Sequence, residues 1–156
     1  MTEYEAWYAQ ASTISDRRIW PQIKRYFSQD ENWGSIGFMD VRLLWNLYQI
    51  RDELARGFNI NCAFEKTGHS SKSTHGLGMA VDFYVTRTDP QELYNLYCFF
   101  LNNWYGGVGL YPYWNKPGFH LDIGPNYRTW TRDKNGIYLY DSKEIKDTVD
   151  EFALAA

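Results

Sequence analysis

Residues 73–83 read Ser-Thr-His-Gly-Leu-Gly-Met-Ala-Val-Asp-Phe (STHGLGMAVDF), and the alternation inside this stretch decides what the chain builds. Residues two apart in a strand share a face. Applied to 79–85, that rule puts Val81, Phe83 and Val85 on a core face and leaves Ala80, Asp82 and Tyr84 on the other. Gly76 and Gly78 let the backbone bend between His75 in the preceding loop and the strand, without a side chain to crowd either residue. A second strand over 118–124 repeats the pattern: Phe119, Leu121 and Ile123 face inward, while His120 and Asp122 share the opposite face. If the two strands are close in one sheet, Asp82, His120 and Asp122 converge and His75 reaches them from the loop.

The chain around them has 156 residues, enough for one domain with its own core. Hydrophobic residues make up 44% and charged residues 22%, a globular composition. A net charge of −3 and the lack of a basic run exclude a phosphate-backbone footprint, so no nucleic-acid partner is expected. No apolar run approaches membrane-spanning length, and the start has no basic n-region or apolar h-region. The expectation is a monomer made in the cytoplasm without a signal peptide and not inserted in a membrane. Cys62 and Cys98 lie in apolar stretches without C-x-x-C spacing and read as buried free thiols, neither a disulfide nor a metal clip. Aromatic residues reach 19% and crowd 104–140, which divides between core and a surface that grips sugar or peptide.

Along the chain, 17–27 is a short helix candidate interrupted by Pro21. Residues 39–55 are a stronger one, with Asp40 as N-cap, Gly57 past the end, and Leu43, Leu47, Ile50 and Leu54 in one stripe. A strand over 59–64 leads into a polar loop over 65–74. Asp89-Pro90-Gln91-Glu92 spells a capping box before a helix whose face carries Leu93, Leu96, Tyr97, Phe100 and Leu101. Short strands follow near 107–111, 117–123, 127–132 and 137–140, and a last helix over about 142–153 packs Ile145, Val149 and Phe152 on the domain. The order predicts a single α+β domain over 1–156, with a small antiparallel sheet flanked by helices, a motif-bearing core at about 35–132, and C-terminal strands and helix at 133–156.

Taken singly, each polar residue here is ordinary; together they fit one chemistry. Two histidines and a carboxylate are what a catalytic zinc takes from a protein, leaving a fourth position open. The bound water then ionises near neutral pH, and a carboxylate outside the ligand set can shuttle protons. Ser73 stands where it can bond the loop backbone or a ligand.

These residues resemble a known family. His75-Gly-Leu-Gly-Met-Ala-Val-Asp82 is similar to the H-x-x-G-x-A-x-D signature of the zinc D-Ala-D-Ala peptidases, and Gly118-Phe-His120-Leu-Asp122 to the later H-x-D strand of their murein-peptidase branch. Ser73 before the first histidine and Gly106-Gly-Val-Gly-Leu-Tyr111-Pro112 ahead of the second motif extend the likeness over about 35–132. The resemblance implies zinc (Zn2+) ligands at His75, Asp82 and His120, and hydrolysis of peptidoglycan stem peptides or cross-links as an endopeptidase or D,D-carboxypeptidase. It also suggests a phage or prophage lysis enzyme acting on the wall after release. Many relatives place the general base three residues before the last zinc histidine, where this chain has Pro117; Asp122 is therefore the candidate catalytic base. Relatives often carry S-G-Y-R with an arginine for the oxyanion, whereas this chain reads Cys62-Ala63-Phe64-Glu65, so His69 or Lys72 becomes the candidate source of positive charge. Tyr111 and Trp114 are candidate substrate contacts. These departures keep a second reading open, a weak or inactive zinc-binding phage module that holds the wall; a metal-free sugar-binding domain is a third.

Overall fold

Asp40 starts the first long helix because its carboxylate accepts the Arg42 N–H at 2.8 Å, satisfying one of the donors that every helix start leaves without a partner. In the computed structural model, which describes residues 20–68 and 73–156, this helix is α2 (Val41–Leu54), preceded by the single turn α1 (Trp20–Ile23). Residues 17–19 of the predicted first helix lie outside the described residues. Leu43, Leu47 and Ile50 are buried as their spacing predicts, with Leu44 added. The helix stops at Ala55, left-handed at φ 56°, two residues before the glycine expected to end it.

The strands are β1 (Phe58–Cys62), β2 (Ala80–Val85), β3 (Gly107–Tyr111), β4 (Gly118–Asp122), β5 (Thr129–Arg132) and β6 (Tyr138–Leu139). Helix α3 (Leu93–Asn103) separates β2 from β3, and α4 (Ser142–Ala155) ends the chain. The capping box is present: Asp89 accepts from the Gln91 N–H at 2.8 Å, and Glu92 accepts from the Asp89 N–H at 3.1 Å. Asp141 caps α4 by accepting from the Lys143 and Glu144 N–H groups.

Among the described residues the sheet order is β1-β2-β4-β3-β5-β6. The expected all-antiparallel sheet needs correction, because β3 and β5 pair in parallel. The cause is a hop. β4 ends with Asp122 beside Gly107 at the start of β3, and β5 begins with Thr129 beside Val108 at that same end. The connection 123–128 therefore carries the chain over the start of β3, and β5 runs antiparallel to β4 but parallel to the strand it skipped.

The helices cover one face of the sheet. Phe58, Phe83, Phe100 and Phe119 interlock there, with Phe58–Phe83 ring centroids at 4.5 Å and Phe83–Phe100 edge-on at 5.5 Å. Much of the aromatic content is thus core. Ile145 and Val149 of α4 join the same cluster, with Phe152 at its edge. The other face carries the chemistry.

Candidate metal centre

Cross-strand register sets the site as one row. Cys62 stands opposite Asp82, Asp82 opposite His120, His120 opposite Gly109, and Gly109 opposite Trp130. Alternation sends the neighbours Val81, Phe83, Phe119 and Leu121 into the core, as the sequence predicts, and puts this row on the far face. On β4 this face is shielded from solvent: His120 is 6% exposed and Asp122, two residues on, 7%.

Gly109 makes the row possible. A Cβ there would lie 2.5 Å from Trp130, so only glycine lets the indole fold across β3 to within 5.0 Å of the His120 ring. Gly107 does the same for Asp122, whose Oδ2 would meet a Cβ at 2.2 Å.

His75 arrives from outside the sheet on a single 3-10 turn, Thr74–Leu77. The Ser73 hydroxyl accepts the His75 N–H at 3.3 Å, so Ser73 bonds the loop backbone. Gly78 ends the turn at φ 68°, packed so closely that a Cβ would sit 1.9 Å from the Phe38 carbonyl oxygen. Its own carbonyl accepts the Asp40 N–H at 2.9 Å, which ties the turn to the start of α2.

Ring tautomers follow from the partners. His75 Nδ1 lies 2.7 Å from the Ala63 carbonyl oxygen, which only accepts, so Nδ1 carries a proton and Nε2 is the nitrogen that faces Asp82 Oδ1, at 3.4 Å. His120 bridges two carboxylates, with Nδ1 2.8 Å from Asp82 Oδ1 and Nε2 3.0 Å from Asp122 Oδ2. Burial opposes charge on this ring, but the bonds to Asp122 and Asp82 outweigh it and raise its pKa to about 9. Burial likewise pushes the Asp82 carboxyl up, and bonds from His120 and His75 overcome that and hold it well below the usual carboxylate range. Metal-free, then, a proton on His120 Nδ1 bridges to the Asp82 carboxylate.

The donor set fits a metal ion. Ligands about 2.0–2.1 Å from a tetrahedral zinc stand about 3.3 Å apart. The His75 Nε2 to Asp82 Oδ1 separation of 3.4 Å matches that edge, and His120 Nδ1 faces the same oxygen. The sequence-predicted ligands His75, Asp82 and His120 are thus brought together.

Asp122 lies behind His120. Its Oδ2 is on the ring nitrogen that points away from Asp82, and its Oδ1 accepts the Gly124 N–H at 2.8 Å and the Gly107 N–H at 3.4 Å. Tyr111 stacks on Trp114 at 4.0 Å and 5°, and its hydroxyl accepts from Trp130 Nε1 at 2.9 Å. The two expected substrate contacts therefore reach the centre through Trp130. His69 and Lys72 lie outside the described residues.

Cys62 is the correction at this site. Both cysteines are free thiols, but each is only half-buried, and Cys62 is not in the core. A β-bulge between Ile60 and Cys62 inserts Asn61 and turns the thiol to the polar face, where Cys62, His75 and Asp82 bring ligand atoms within 4.8 Å of one another. Burial and the Glu65 carboxylate, which accepts from the thiol at 3.3 Å, push the Cys62 pKa up to about 12. Sequence reasoning missed this residue because strict alternation aligns it with Phe58 and Ile60. It also missed the Trp130 contact, although Gly109 was a signal that a bulky group crosses β3.

A family model described as Peptidoglycan L,D-endopeptidase MepK (Peptidase_M15_2) matches residues 21–130. No curated protein and no solved structure matches the chain. The matched span holds every member of the row from Cys62 to Trp130, together with the His75 turn. With a Cys/His/Asp cluster able to hold a metal at its heart, the chain belongs to this peptidase family and is a peptidoglycan-hydrolysing metallopeptidase.

Proposed function

We propose that this protein is an endopeptidase that cleaves an L,D peptide bond within peptidoglycan stem peptides, with zinc held by His75 Nε2, Asp82 and His120 Nδ1. The observation that carries the reading is that His75 Nε2 and His120 Nδ1 both face Asp82 Oδ1, at 3.4 and 2.8 Å. The printed description of the matching family supports the bond type. Zinc held there supplies Lewis acidity and an activated water at neutral pH.

The chain's own residues set up that chemistry. The Ala63 carbonyl fixes the His75 tautomer, and Asp122 accepts the Nε2–H of His120 so that Nδ1 faces Asp82. Asp122 is held by His120 and two backbone N–H groups and sits on the side away from the donors. Its proposed role therefore shifts from base to positioning residue. Trp130, braced by Tyr111 and Trp114, forms an aromatic wall beside His120 against which a peptide can lie.

Purified protein should carry about one zinc per chain. His120→Ala should lose both the metal and the release of new amino termini from peptidoglycan, and mass analysis of the muropeptides identifies the bond. Protein purified without chelator that holds no metal would sink the reading.

A further inference from the structure

The bulge in β1 does something that the three-ligand centre does not require. Phe58 and Ile60 point into the core, and unbroken alternation would carry Cys62 in after them. Instead Asn61 is left exposed as the extra residue, and Cys62 is placed opposite Asp82, next in the row to a proposed ligand. A strand that only needed to end here could do so without turning its one sulfur onto the site.

Sulfur also suits the place. A thiolate is a strong zinc ligand at about 2.3 Å, which sets it about 3.6 Å from nitrogen and oxygen co-ligands around a tetrahedral ion. Cys62 Sγ already shares a 4.8 Å cluster with His75 and Asp82, so it lies within reach of an ion held by them. Its present partner, the exposed Glu65 carboxylate at 3.3 Å, lies at the outer side and can receive the thiol again when it leaves.

Resting on the zinc reading above, we propose that Cys62 Sγ is a fourth, displaceable protein ligand that closes the metal centre at rest. His75, Asp82 and His120 hold the ion, and Cys62 fills the position that substrate or water needs. On this arrangement the Cys62 thiol passes its proton to the Glu65 carboxylate as the sulfur binds, and takes it back when water or substrate displaces it and Cys62 swings off toward Glu65; until then the enzyme is held back by its own sulfur.

Cobalt(II) in place of zinc tests this directly, because cobalt reports its ligands by colour. Wild-type protein loaded with Co(II) should show a near-ultraviolet sulfur-to-cobalt charge-transfer band beside its visible d–d bands. The charge-transfer band should vanish in Cys62→Ala and in Cys62→Ser while the visible bands remain, and Cys98→Ala should retain both. Visible bands without the charge-transfer band in wild-type protein overturn this proposal and leave the three-ligand reading standing; absence of both overturns the two together. The wild-type spectrum decides even if a Cys62 variant folds poorly. Metal-loaded Cys62→Ala should also hydrolyse peptidoglycan several-fold faster than wild type. A metal-loaded Cys62→Ala that falls to background overturns the proposal too, since the thiol would then be needed for turnover.

Discussion

His120 carries two jobs that compete for one ring. Its pKa of about 9 in the metal-free protein means that Nδ1 is protonated through the neutral range, in the direction where a metal must bind. Metal uptake below that pH should release a proton from this site, and affinity should climb as pH rises toward 9, measurable by titration in weakly buffered solution. The same shift fixes the pH dependence of the metal-free fold. A histidine whose folded pKa lies above its ordinary value of about 6.5 contributes fully below that value and loses its contribution as pH rises through the folded one. Chelated protein should therefore lose melting temperature between pH 6.5 and 9. Asp82, shifted the other way, keeps its contribution above the ordinary carboxylate range and loses it only in strong acid. Asp122→Asn removes the charge that orients His120, and metal affinity should fall by about 10–100-fold, read by competition with a chelating dye. If affinity holds while turnover alone collapses, Asp122 is the base after all.

At the scale of elements, the site depends on two close approaches that glycines allow. Gly109→Ala drives a methyl into Trp130, with its Cβ 2.5 Å from the indole, and should destabilise the fold by about 1–3 kcal/mol in denaturant unfolding. The Trp130 emission should shift with it. Strand parity made Asp82, His120 and Asp122 legible from sequence because β2 and β4 keep strict alternation and pair at Asp82↔His120. Cys62 was not legible, since a bulge adds a residue without any composition that marks it. The β3–β5 parallel pair was equally hidden: six short strands with turn chemistry between them look alike whether a connection turns back or hops over a neighbour. Ala55 hid the end of α2 for a similar reason, a non-glycine residue taking a left-handed cap, its N–H bonded to the Arg51 carbonyl.

For the whole molecule, the helix stripes, the capping box and the inward phenylalanines were readable because burial writes a period into the sequence. The meeting of residues from positions 62, 75, 82, 120 and 130 was readable only as a consequence of sheet order. Chelation should act on the fold as a unit: zinc at a thousandfold excess over its dissociation constant stabilises a protein by about 4 kcal/mol, so removing it should lower the melting temperature of wild type and leave His120→Ala unmoved. Sheet order has a last consequence, in amide exchange. β2 and β4 have bonded neighbours on both sides, whereas among the described residues β1 is an edge strand. The backbone amides around Asp82 and His120 should exchange with solvent among the slowest in the chain, and those around Cys62 much faster. Asp82 and His120 are thus anchored in the most protected backbone, and the sulfur rides on the margin that opens first.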